Sequence, residues 1–122
     1  MNTLKEDYSI EQEFITAHEG GIIAVQGELL ELKEGNVRFF IHQTTDVELM
    51  ETTLSISELS TGHSVVKFVK DKGTALIRLQ LILNERKGQM QQAIERGKKN
   101  IEIRAKNSES YKGYSFPLNK LK

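Results

Sequence analysis

Between Ile22 and His42, apolar residues fall into two runs separated by a polar turn. The first run is Ile22 to Leu32. Lys33-Glu34-Gly35-Asn36 follows, and its Gly and Asn tolerate positive φ. Val37, Phe39 and Ile41 then alternate with Arg38, Phe40 and His42, so the pattern predicts a β-hairpin. Thr44 to Leu59 is rich in threonine and serine. The alternations Val47/Leu49 and Leu54/Ile56 within it fit one or two short strands. Val65–Val69 and Ala75–Leu83, joined by Lys70-Asp71-Lys72-Gly73, predict a second hairpin. Its second arm is apolar on both faces for part of its length, as in a covered central strand.

From Asn84 the period changes. Asn84 suits an N-cap, Glu85 the first turn and Gly97 a C-terminal stop. Leu83, Met90 and Ile94 share one face, with Lys87 in the same row, which predicts a mostly exposed amphipathic helix over 84–97. Gly88 inside it costs about 1 kcal/mol relative to Ala. Ile101, Ile103 and Ala105 alternate with Glu102, Arg104 and Lys106, which predicts a last strand. At the other end, residues 8–19 read as a short helix capped by Ser9 or as a strand. The Glu, Gln and Ala content favours the helix. The expected fold is α+β: an antiparallel, hairpin-built sheet or small β-barrel with one amphipathic helix, plus the short N-terminal one. It is expected as a single domain over 1–122. Residues 1–7 and 107–122 are peripheral tails, the latter tacked down by Tyr111, Tyr114 and Phe116.

Composition narrows the chemistry. A chain of 122 residues suits one domain and buries enough surface for a core without staples. There is no cysteine, which removes disulfides, thiolate metal sites and thiol catalysis, and a reducing, cytoplasmic setting is expected. No apolar run approaches the roughly 18 residues of a membrane span, and the polar start, Met1 to Ser9, does not read as a secretion signal.

Net charge is zero, yet it is divided along the chain. Residues 1–61 hold twelve acids and three bases, while residues 62–122 hold five acids and fourteen bases. Such asymmetry points to charged partners. One reading is a basic face for a nucleic acid or other polyanion, built from Lys67, Lys70, Lys72, Arg78, Arg86, Lys87, Arg96, Lys98, Lys99, Arg104 and Lys106, with Phe40, Tyr111 and Tyr114 as stacking surfaces. Another is cancellation inside the fold, acidic early strands lying across from basic late ones. A third is pairing between copies, acidic face to basic face.

Catalytic signals are sparse. His18, His42 and His63 have no metal-ligand spacing, and no phosphate loop or nucleophile elbow occurs. Two of the histidines could converge with Glu48 or Glu51 as an acid and base, which would suit a small hydrolase. His63 and Ser64 are neighbours, so in a strand they face opposite ways. The sequence therefore predicts a non-enzymatic interaction module without cofactor or metal. It would act on a protein partner or its own copy through Phe40, Met90 and Ile94. Polyanion binding is the first alternative.

Overall fold

The computed structural model describes residues 12–18, 21–43 and 53–120. Five antiparallel strands follow one another in a meander: β1 (Gln12–His18), β2 (Gly21–Leu29), β3 (Phe39–Gln43), β4 (Leu54–Glu58) and β5 (Ser64–Val69). Two helices come next, α1 (Lys72–Glu85) and α2 (Met90–Asn107), and then a 3-10 turn, Glu109–Tyr111. The fold is α+β, as expected. The sheet is open rather than a closed barrel.

The β2–β3 hairpin forms as the pattern predicts, with the turn closed by a bridge between Glu34 and Val37. β4 and β5 also lie where apolar alternation placed strands. Val47 and Leu49 lie outside the described residues. Three expectations change. The segment at 12–18 is a strand, not a helix. It pairs along its whole length with β2, from Gln12↔Gly27 to His18↔Gly21. Those ladder bonds outweigh a small difference in propensity.

The arm Ala75–Leu83 is helical. Ala75, Leu79 and Leu83 are spaced i, i+4, i+8 and are the buried residues of α1. Asp71 caps the helix by accepting the Thr74 backbone N–H at 2.8 Å. That capping bond draws the Asp71 carboxyl below its usual value.

The third change is a shift of helix boundaries. Asn84 belongs to α1, and the break falls at Gly88, whose φ of 83° favours glycine. α2 then runs through Gly97 and through the predicted last strand to Asn107. Gly97 is a contact, not a stop. A Cβ there would stand 2.7 Å from Thr61 Cγ2.

One face of the sheet carries Phe39, Ile41, Ile56 and Val66, packed against Ala75, Leu79, Leu83 and Met90. Phe14, Phe40 and Leu59 form a cluster of their own, with the rings of Phe14 and Phe40 stacked at 4.5 Å. Ala17, Ile101, Tyr111 and Leu118 make a third cluster, which fixes α2 and the tail beside β1. The tail therefore packs through Tyr111 and Leu118, whereas Tyr114 is exposed. No helix among the described residues is long and apolar enough to cross a membrane.

Candidate polyanion surface

The turn from α1 into α2 builds a cleft of about 550 Å³ against the start of β5. Gly88 reverses the chain there, so the end of one helix and the beginning of the next face each other. Arg86 comes from the C-terminal cap of α1 and Arg96 from the second turn of α2. Gln89, Gln92 and Ser64 add polar groups, and Ile82, Met90 and Val65 an apolar floor. Among the described residues, no carboxylate lines the cleft. Two guanidinium groups in one concave, partly apolar site are suited to an anionic oxygen cluster.

A second convergence lies next to it. His63, at the entrance to β5, has its proton affinity lowered, first by burial and then by the charges of Arg104 and Lys67, with Glu58 opposing. The fields of an α2 cation and a β5 cation thus meet at one residue. Arg104 is held in place by Tyr111: its guanidinium lies 5.3 Å from the ring centroid and donates to the phenol oxygen at 3.2 Å.

Between Leu54 and Ile56 the β4–β5 register shifts, because β5 sets two residues, between Val66 and Val69, opposite the single Ser55 of β4. Those residues are Lys67 and Phe68, and both are exposed. Phe68 has φ 62° and is 48% exposed. A bulky side chain in that region is an outlier, and bulges of this kind re-aim side chains. Without the shift, Phe68 would share the inward face of Val66. Sequence reasoning misses Phe68 for that reason, because alternation alone sends it to the core.

The other predicted residues scatter. Lys72 pairs with Glu28 at 2.8 Å, across a different groove. Lys98 is half-buried with its ammonium 5.6 Å from the Phe116 ring centroid. Lys70, Arg78, Lys87, Lys99 and Lys106 are exposed and line neither the cleft nor the His63 site. Phe40 is fully buried and Met90 is 7% exposed, both in the core, and Ile94 packs against that core. Phe40 therefore does not face outward, and Tyr111, at 1% exposure, offers no stacking surface. The cross-strand cancellation expected of the basic half requires strands there. That half is mostly helical and turns most of its cations to solvent.

His42 and Ser57 meet, but inside. His42 Nδ1–H donates to the Gln43 carbonyl at 2.7 Å, so Nε2 accepts the Ser57 hydroxyl at 2.8 Å. Ser57 is fully buried and His42 is 4% exposed, so no substrate reaches this pair. Burial also lowers the proton affinity of His42. Glu48 and Glu51 lie outside the described residues. Among the described residues, no group of three or more His, Cys, Asp or Glu could hold a metal ion. Compared with known proteins, the chain matches no family model, no curated protein and no solved structure.

Proposed function

We propose that this chain is a non-enzymatic binding module for a phosphate-bearing polymer, a single-stranded nucleic acid, in a cytoplasmic setting. The observation that carries the reading is the cleft that Arg86 and Arg96 line, with no carboxylate beside them among the described residues. Backbone phosphates seat there and gain charge-assisted hydrogen bonds. Lys67 and Arg104 extend the positive field along β5. Phe68, four residues beyond the Ser64 end of the cleft, supplies a face on which a base stacks. A cationic track beside an exposed aromatic is the usual means of holding single strands without sequence preference.

Of the residues that the sequence offered for a protein interface, Phe40, Met90 and Ile94, the first two are buried and Ile94 is partly buried, which weighs against that surface. Fluorescence anisotropy with a labelled single-stranded oligonucleotide tests the proposal. Binding is expected at low salt, weakening as salt rises. In an R86E/R96E variant the salt slope should fall by about one for each phosphate no longer neutralised. Absence of binding at low salt, or equal affinity in that variant, would remove this function.

A further inference from the structure

α1 buries Ala75, Leu79 and Leu83 and turns a second apolar row to solvent. Ile77 is 64% exposed and Leu81 52% exposed. They are one turn apart, so they form a ridge rather than two isolated residues. Ile77 also rims a groove of about 760 Å³ against the end of β2, where Leu29, Leu30, Leu32 and Leu76 continue the apolar surface.

The charges beside this ridge are self-complementary. Arg78 and Glu85 are both exposed and flank Leu81 on the same side of the helix. Seven residues of helix separate them by roughly 10 Å along the axis, too far for a pair within one chain. Antiparallel packing of α1 on α1 about a two-fold axis at Leu81 reverses the order of the charges. Arg78 of one chain then meets Glu85 of the partner subunit, twice.

We propose that the chain forms a two-fold homodimer through this face, with Leu81 at the axis, Ile77 beside it and two reciprocal Arg78–Glu85 pairs. An isologous interface needs one patch to match itself, and this patch does. A helix of 14 residues is about 21 Å long, and one such helix pair buries less than the roughly 1,200–2,000 Å² of a standard stable interface. The dimer is accordingly weak, with dissociation on the order of tens of micromolar. It does not depend on Arg86 or Arg96, so oligonucleotide binding and self-association fail independently.

Sedimentation velocity on the full chain from ~5 to ~500 µM tests it, because mass action makes the dimer fraction concentration-dependent. The mass should rise from 13.9 kDa toward twice that value. L81D should hold it at one chain while circular dichroism confirms the fold. R78E alone and E85R alone should each weaken self-association about tenfold, and the R78E/E85R double variant should recover it. A single-chain mass at every concentration would overturn the proposal and leave the face to a different protein. A dimer indifferent to L81D, or no recovery in the double variant, would overturn it as well.

Discussion

The Asn119 side chain pairs with the backbone of Ile15 as a neighbouring strand would. Its Oδ1 accepts the Ile15 N–H at 2.7 Å, and its Nδ2 donates to the Ile15 carbonyl at 2.9 Å. The same Nδ2 donates to the Leu59 carbonyl at 2.8 Å. A residue near the C-terminus thus ties the outer edge of β1 to the end of β4, two segments that the sheet itself does not join.

Removing that amide should be costly. Asn119→Ala leaves three backbone groups without their partner, each bond contributing about 1 kcal/mol, so a loss of about 2–3 kcal/mol is expected from the urea midpoint. Asn119→Asp keeps the acceptor for the Ile15 N–H but turns a carboxylate toward two carbonyls. It should be no better than alanine. Amide exchange should show Ile15 losing protection in Asn119→Ala, where the acceptor itself is gone. Unchanged protection would mean that the edge is held by something else.

Gly97 gives a prediction that runs against helix propensity. Alanine inside a helix normally gains about 1 kcal/mol over glycine. Here the new Cβ would stand 2.7 Å from Thr61 Cγ2 and 3.2 Å from Thr61 Cβ, in a buried contact. Thr61 cannot swing away freely, because its hydroxyl donates to Glu58 Oε1 at 2.8 Å. Gly97→Ala should therefore destabilise by about 1–3 kcal/mol. Thr61→Ser removes the Cγ2 and keeps the hydroxyl, so the double variant should recover part of that loss. Additive losses in a double-mutant cycle would contradict the contact.

His42 and His63 should both make stability fall in acid. Burial lowers the proton affinity of His42, and burial with Arg104 and Lys67 lowers that of His63. The unfolded chain takes up protons near the ordinary value of 6.5, where the native rings bind fewer. Stability is thus complete above that value and is lost as pH falls through the lower native values. His42→Gln should flatten the fall in urea midpoint between about pH 7 and about pH 5. If a phosphate of the proposed ligand lies near Arg104 and Lys67, its charge should oppose theirs at His63 and raise the proton affinity of that ring. Oligonucleotide affinity should then rise as pH drops through the same range, and His63→Gln should abolish that rise.

How much of this was legible depended on where local and tertiary signals agreed. The β2–β3 hairpin was readable because Gly35 and Asn36 mark the turn and the alternation is clean on both sides. α1 was not, because Ala75, Ile77, Leu79, Leu81 and Leu83 satisfy period two, while Ala75, Leu79 and Leu83 also satisfy the helix. Asp71 three residues before Thr74 was the available sign of a helix start. Gly88 and Gly97 are alike in sequence, and only the packing of Thr61 separates a stop from a contact. Of the candidate polyanion surface, charge alone points to Arg86, Arg96, Lys67 and Arg104. That Arg86 and Arg96 line one cleft requires the reversal at Gly88.

Phe68 should affect stability and the proposed binding in opposite senses. Its φ of 62° costs an L-residue roughly 1–2 kcal/mol, which glycine does not bear. At 48% exposure, the ring returns only part of its burial energy. Phe68→Gly should therefore raise the urea midpoint or leave it unchanged, where most strand substitutions to glycine lower it. If the ring stacks on a base, the same change should weaken single-strand binding by about 1–3 kcal/mol, roughly five- to 150-fold. Phe68→Tyr keeps a stacking face and should bind as the original does. A variant that gains stability and loses affinity would identify the strained bulge as a feature kept for the ligand. Loss of stability with unchanged affinity would assign Phe68 to packing.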